Sequence, residues 1–366
     1  MEYPDFKVGV ICHTYNQSNY IVDTMNGFCI QQTEFPFICC IVDDASTDNE
    51  PEVIRTYINE HFDLVDSETS CQRETDYANI IFARHKENIN CYFAVLLLKY
   101  NHYTKELAPK KIEYENEWVG NTKYAAFCEG DDYWIDPQKL QLQFNALEGN
   151  NDCNMCVHIT MKVNANGTYT NSTYPIKTIK EGYLLPVESL GLLQDDFSFH
   201  LTSQFVRRGI FNEYESNKPL FAKVANCGDI PLLLYFGQKG NIYHINRIMS
   251  CYRLCAVGSH TESMLNDVSY RESFYDSIEV MMHEYDAYTN RKYHVICSRI
   301  SSRYRFLQLQ LSHYLGKIST KEYNRELIKS KYRYHFERTY PFKVRMLIYL
   351  SVVFPILNSL RSCKKL

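Results

Sequence analysis

Two short apolar runs lie near the start of the chain, residues 7–12 (KVGVIC) and 37–42 (FICCIV). Both are rich in β-branched residues, apolar at successive rather than alternate positions, and end abruptly in polar residues. That pattern predicts parallel strands buried on both faces. Between them, residues 18–31 carry Ile21, Met25, Phe28 and Cys29 at helical spacing, which predicts a crossover helix and a βαβ unit. Asp48 is placed to cap a helix over about 51–61. Residues 80–83 (IIFA) predict a third strand, 94–103 a helix, 105–117 a charged surface insertion, and 124–128 (YAAFC) a fourth strand. Asp136-Pro137 opens another helix, with Leu140, Phe144 and Leu147 on one face. Strands thus alternate with helices to about residue 160, the pattern of an α/β sheet with helices on both faces. Residues 150–260 mix short strands and turns with a helix over 229–237, and from about 264 the pattern is helical.

In open α/β sheets ligands bind beyond the carboxyl ends of the strands. Residues 13–16 (HTYN), 43–48 (DDASTD) and 129–132 (EGDD) all fall at such ends, so three polar clusters predict one site. Glu129, Asp131 and Asp132 share a tight turn in which Gly130 lets the backbone come close to a ligand. Clustered acids repel unless a cation neutralises them, and Mg²⁺ or Mn²⁺ takes oxygen ligands that it shares with phosphates. A capped turn needs the same residue types. Asp43 and Asp44 are suited to accept hydrogen bonds from a base or a ribose. No glycine-rich dinucleotide fingerprint follows the first strand and no P-loop motif occurs, which disfavours a Rossmann dehydrogenase and a P-loop ATPase.

The chain has 366 residues, 45% hydrophobic and 22% charged, enough to bury a large core and to exclude global disorder. Its 14 cysteines are scattered and no secretory signal pattern opens the sequence, so reduced, mostly buried thiols are expected. Cys153-x-x-Cys156 reads as two small core residues. The net charge of −4 excludes a globally basic nucleic-acid binder, and no nucleic-acid partner is expected. The charge is uneven: from Lys329 onward nine Lys or Arg stand against Glu337 alone, leaving residues 1–328 strongly acidic. Within that basic tail, residues 346–360 are apolar but too short to span a bilayer. Such a segment lies in a membrane interface or docks on its own acidic body.

VGVICHTYNQSNYI, IVDDASTD and YAAFCEGDDYWIDPQKL, in this order, resemble the family 2 glycosyltransferases of the GT-A fold, most of all those that build bacterial capsular or lipopolysaccharide glycans. FHLTSQFVRR (199–208) and GDIPLLLYFGQKGNIYHINRIMSCYR (228–253) extend the resemblance over about 6–255. It implies a GT-A domain over 1–260, with a nucleotide-binding half (1–150) and an acceptor half (151–260), and a helical extension over 261–366.

The resemblance also implies roles. Thr14 and Tyr15 would line the nucleotide pocket, Asp43 and Asp44 would bind base and ribose, and Arg84 would stand near the nucleotide. Asp131 would hold Mn²⁺ or Mg²⁺ against the diphosphate, with Glu129 in the first position of the family's acidic motif where Asp is usual. Gly130 and Asp132 would face the donor or support the turn, and Arg253 would neutralise diphosphate. His200, Thr202 and Ser203 would lie on the acceptor side. Asp229 would be the catalytic base, with Asp195 and Asp196 as the rival acids. The implied reaction is an inverting, metal-dependent transfer from a nucleotide sugar, expected to be UDP-linked, to a glycan or lipid-linked acceptor. The implied place is the cytoplasm, peripheral at the inner face of the cell membrane through 343–366. Two readings compete: a catalytically inactive GT-A domain that binds a glycan or protein partner, and a sugar-nucleotide nucleotidyltransferase, which would need a Gly-rich basic loop after the first strand that HTYNQSN lacks.

Overall fold

The first βαβ unit forms as its pattern predicts: strand β1 (Val8–Thr14), helix α1 (Ile21–Cys29) and strand β2 (Phe37–Asp43), with β1 and β2 parallel. This is a computed structural model, and it describes residues 3–102, 107–193 and 199–353. Eleven further strands follow: β3 (Phe62–Asp63), β4 (Ser70–Glu74), β5 (Ala78–His85), β6 (Cys91–Leu98), β7 (Tyr124–Phe127), β8 (Tyr133–Trp134), β9 (Cys153–Asn164), β10 (Tyr169–Tyr174), β11 (Gly182–Leu184), β12 (Phe205–Arg207) and β13 (Asn241–Leu254). Among them run α2 (Glu50–His61), α3 (Ala108–Val119), α4 (Lys139–Gly149), α5 (Pro186–Leu193), α6 (Arg208–Ser216), α7 (Leu220–Lys223) and α8 (Asp229–Lys239). The chain then continues through α9 (His260–Asn266), α10 (Val268–Tyr288), α11 (His294–Tyr314), α12 (Thr320–Leu327), α13 (Arg333–Thr339) and α14 (Phe342–Val353).

The strands join one mixed sheet in the order β11-β13-β9-β12-β7-β1-β2-β6-β5-β3. Its centre, β7-β1-β2-β6, is parallel, and every residue of β2 is buried. The flanking strands β5 and β12 run antiparallel to it. On one face α1 buries Ile21, Met25 and Phe28, and Phe28 meets Trp134 edge-on at 4.8 Å. Gly27 is required there: a Cβ would stand 2.7 Å from the Trp134 backbone nitrogen.

Two sequence expectations fail. Residues 94–103 were expected to be helical, but 91–98 form β6, a buried central strand. An unbroken apolar run has no period by which to tell the two apart. The expected surface insertion over 105–117 is largely α3, which buries Tyr114, Trp118 and Val119. Its buried face also carries Lys111 and Glu115, and these charges mask the apolar stripe.

The chain divides into two compact units. One comprises the residues up to Lys218 together with Asp229–Asn266; the other comprises Pro219–Gly228 and the residues from Asp267 on. In the second unit α10 packs along α11, and Phe306, Tyr323, Leu327 and Phe336 form a small core of their own. No helix among the described residues is long and apolar enough to cross a membrane.

Candidate active site

Strand register brings the three polar clusters together. Thr14 at the end of β1 lies opposite Asp43 at the end of β2, and Ile11 lies opposite Phe127, two residues before Glu129. The Gly130 N–H donates to the His13 carbonyl at 3.0 Å, fastening the acidic turn to β1. Asn16 and Ala45 adopt left-handed φ angles of 56° and 59°, uncommon for residues with a side chain. The Asn16 carboxamide oxygen accepts from the Thr47 N–H at 2.7 Å, which ties the loops after β1 and β2 into one edge.

The two acids after β2 are held differently. Asp44 is buried and pairs with the His102 imidazole, and its Oδ1 accepts from the His102 N–H at 2.8 Å. Asp43 is also buried, but its Oδ1 has no hydrogen-bond partner. Burial raises its carboxyl to a pKa of about 7. A buried polar atom without a partner is costly and marks a place where a ligand can donate.

Burial in the acidic turn, followed by mutual repulsion, favours protonated carboxyls. Asp131 is raised to about 6 by burial, against the opposing pull of its own backbone N–H and Arg253. Asp132, with no exposed surface, is raised well above the usual range by burial and then by Asp131 and Glu129. Glu129 belongs to the exposed residues, yet its carboxyl is hemmed in by protein; loss of water and then the charges of Asp131 and Asp229 push it up. Of the three, Asp131 is raised least, because its own backbone N–H, Arg253 and Gln17 favour its charged form, so it gives up its proton first. Asp229 heads α8 and its Oδ1 accepts from the Ile230 N–H at 3.0 Å. Burial brings Asp229 to about 7 despite that bond.

Arg253, on β13, is 2% exposed and crosses beneath the turn. Its guanidinium donates to the carbonyls of Asp131 at 2.9 Å and Ala165 at 3.1 Å, and to the Asp23 carboxylate at 2.8 Å. Its N–H donates to Asp132 Oδ1 at 3.0 Å. Below, the Thr24 hydroxyl on α1 lies 2.9 Å from the Gly130 carbonyl and 2.6 Å from that of Asp132. Arg253→Met should therefore lower stability by about 2–3 kcal/mol, the order found when a buried charge loses its partners. A thermal melt unchanged from wild type would refute that structural role.

Glu129, Asp132 and His200 bring one ligand atom each to within 4.8 Å of one another, a set that could hold a metal ion. His200 Nδ1 lies 3.5 Å from Asp132 Oδ2, and that oxygen is buried with no hydrogen-bond partner. Burial, then the charges of His260 and Lys162, lowers the His200 imidazole to about 3, so it is neutral, as a ligand must be. Two carboxylates and one imidazole suit Mn²⁺ better than Mg²⁺. Asp131, given the metal in the sequence reading, lies outside this set and leans on Gln17 and Arg253.

Other expected residues are placed less simply. Arg84 is paired in register with Tyr92 at the start of β6, whereas Asp43 is paired with Leu97. It therefore stands at the amino ends of the parallel strands, about 16 Å along the sheet from the site. The expected nucleotide contact is corrected by this register; Arg84 instead lies 3.8 Å from Asp66. Thr202 and Ser203 are fully buried. The Thr202 hydroxyl accepts from Trp134 Nε1 at 3.1 Å and lies 3.3 Å from the Cys128 sulfur; that of Ser203 donates to the His200 carbonyl at 2.7 Å. The Ser203 hydroxyl thus holds the His200 backbone in place, while that of Thr202 is taken up by Trp134 and Cys128. Tyr15 is 44% exposed at the rim, and the Thr14 hydroxyl is buried against Glu50. Asp195 and Asp196 lie outside the described residues.

Glu50, which sequence reasoning missed, organises this edge. It is fully buried at the start of α2 and accepts from the Gln17 N–H at 2.9 Å and the Ser46 hydroxyl at 2.8 Å, besides Thr14. Its sequence signal was an acid next to a helix-opening proline, which reads as an ordinary first-turn charge. Also missed was an aromatic wall beside the acids. Tyr252 packs on His200 with ring centroids 4.0 Å apart, and Tyr174 stacks at 6.2 Å from the same ring.

No family model matches the chain. It is 27% identical over 169 residues to uncharacterized proteins of Mycobacterium tuberculosis (Rv1520) and Mycobacterium bovis (Mb1547), a stretch that is 46% of this chain. The chain spans about 39% of the length of these curated relatives. Among solved structures, residues 1–349 of S. aureus TarS in complex with UDP-GlcNAc align over 94% of this chain and 87% of that one, with a TM-score of 0.52 and 17% identity. A longer TarS structure aligns over 96% of this chain and 54% of that one, with a TM-score of 0.50 and 16% identity. At such identities the likeness concerns the fold, and the fold is that of the GT-A glycosyltransferases.

Proposed function

We propose that the chain is an inverting glycosyltransferase that moves a sugar from a nucleotide sugar, UDP-linked by preference, to a hydroxyl of a glycan or lipid-linked acceptor in bacterial surface polysaccharide synthesis. One observation carries this reading: Asp43, Glu129, Asp132 and Asp229 stand with a neutral His200 at the carboxyl edge of a GT-A sheet. The fold likeness to a protein solved with UDP-GlcNAc adds support.

In this reading Asp43, with its unsatisfied oxygen, takes hydrogen bonds from the base or ribose, and Asp44 fixes the loop through His102. Glu129, Asp132 and His200 would hold the cation. Bound there, a divalent ion supplies charge neutralisation for the leaving diphosphate. Asp229 takes the proton of the acceptor hydroxyl as that oxygen attacks the anomeric carbon, and its pKa of about 7 suits a base that works near neutrality. Arg253 keeps the turn rigid, so that the acids do not spread apart under repulsion.

The same reading makes α14 and the basic segment after it a contact with anionic lipid. Phe342 is 68% exposed, with Met346 and Leu347 also open. Residues 354–366 lie outside the described residues. Flotation with phosphatidylglycerol vesicles at low salt, lost at high salt, is expected; no flotation at any salt would sink the lipid contact.

The test of function is release of nucleoside diphosphate from a panel of UDP-, GDP- and CMP-linked sugars, with Mn²⁺ and a glycan acceptor mixture. One donor should be consumed, and NMR should show the anomeric configuration inverted in the product. Retention of configuration would refute a single displacement.

A further inference from the structure

The amino-end edge of the sheet carries a second cluster that the transfer reaction does not use. Cys29 ends α1, Cys91 opens β6, and His85 ends β5. Cys29 is partly buried and lines an open cleft of about 590 Å³ with Gln31, Glu34, His85, Glu87 and Asn88. The Tyr57 hydroxyl lies 3.5 Å from the Cys29 sulfur. The Asn88 carbonyl accepts from the Cys91 N–H at 2.9 Å, which sets Cys91 beside the residue that holds Cys29, and the His85 and Cys91 side chains both favour the Cys29 thiolate. The His85 tautomer is set by its surroundings: Nδ1 accepts the N–H groups of Glu87 at 3.1 Å and Asn88 at 3.0 Å. The proton therefore sits on Nε2, the nitrogen left to donate to Cys29. The Asn88 carboxamide holds the geometry by donating to the Cys29 carbonyl at 2.9 Å and the Gln31 carbonyl at 2.7 Å.

That tautomer argues against a zinc site, because a protonated Nε2 has no lone pair to offer a metal. It favours a thiolate instead. Against the cost of burial, the three donors lower the Cys29 thiol to about 6, while burial holds Cys91 well above the usual range. A thiolate beside a protonated thiol, open to solvent through a cleft, is the arrangement of a reactive cysteine and its resolving partner. The acids Glu34 and Glu87 at the cleft favour a neutral reagent over an anionic one.

We propose that Cys29 and Cys91 form a peroxide-sensitive dithiol. The Cys29 thiolate attacks hydrogen peroxide, the O–O bond breaks, Cys29 becomes a sulfenic acid and hydroxide leaves. The Cys91 sulfur then attacks the Cys29 sulfur, the S–O bond breaks, and its departing hydroxide leaves as water with the Cys91 proton. The two thiols supply the two electrons that reduce the peroxide. The helix that ends at Cys29 also carries Thr24 beneath the acidic turn, so Cys29 sits on an element that supports the site.

The test uses the full-length wild-type protein. Cys71, also partly buried, serves as internal reference. With neutral iodoacetamide at pH 6, Cys29 should be alkylated roughly tenfold faster than Cys71. After stoichiometric peroxide, peptide mapping should show a Cys29–Cys91 link that dithiothreitol reverses. In Cys91→Ser, Cys29 should stop at a sulfenic acid that dimedone traps. Alkylation of Cys29 no faster than Cys71, or peroxide treatment that yields no Cys29–Cys91 link, would overturn the proposal.

Discussion

Asp229→Asn is expected to lower turnover by about 10²- to 10⁴-fold, the usual contribution of a positioned general base. The variant keeps an oxygen for the Ile230 N–H, so α8 retains its start. The same substitution should stabilise the protein at pH 8. The folded-state pKa of Asp229 is raised from 3.8 to about 7. Folding therefore favours the protonated form, a benefit fully present below pH 4 and lost as the pH rises through 7. Above that, the ionised carboxylate is a cost. A shift of this size bounds the cost at about 4 kcal/mol, and partial solvent contact leaves on the order of 1–2. Asparagine removes it, so the melting temperature at pH 8 should rise while activity falls. Wild-type turnover should climb along an acidic limb with its midpoint near pH 7. Nucleoside diphosphate release measured from pH 5.5 to 8.5 checks this. A variant that keeps more than a tenth of wild-type turnover would remove Asp229 from the mechanism.

Manganese should stabilise the protein. At a hundredfold above its dissociation constant a ligand of the folded state adds about 2.7 kcal/mol, a rise of roughly 5–10 °C in melting temperature for a domain of this size. The physical reason lies in the acids themselves: Asp132 is raised by burial and then by the charges of Asp131 and Glu129, and a cation relieves the repulsion. Protons compete for the same oxygens, so the stabilisation should fade as the pH falls through about 8, where Glu129 takes up its proton. His200→Gln should weaken the response to Mn²⁺ more than that to Mg²⁺, because the imidazole nitrogen favours the softer ion. Asp132→Asn should abolish both, and calorimetric melts of the two variants decide it. An undiminished Mn²⁺ response in Asp132→Asn would show that the ion is held elsewhere.

Much of this architecture is legible in the sequence. The βαβ start, the strand before EGDD and the helix at Asp229 could be read because each pairs a clear hydrophobic pattern with a sharp polar end. The convergence of three clusters followed from one rule about strand ends, and the register of β1 with β2 and β7 bears it out. What failed did so for physical reasons. β6 is apolar at every position and has no period, and α3 hides its face behind buried Lys111 and Glu115. Arg84 was carried over by resemblance, but the antiparallel course of β5 takes it to the opposite edge of the sheet. Glu50 and the pairing of His200 with Asp132 depend on tertiary packing across 33 residues and more, which no local pattern encodes.

The central claim is that the carboxyl edge of β1, β2 and β7 binds a nucleotide sugar. Calorimetric titration of the full-length protein with UDP, GDP and CMP, each with and without Mn²⁺, tests it most directly. The account predicts that one nucleotide, UDP by preference, binds with a one-to-one stoichiometry, that Mn²⁺ tightens it, and that Asp43→Ala weakens it. Absence of binding by every nucleotide in both conditions would contradict the claim and leave the acids as parts of a site that does not take a nucleotide.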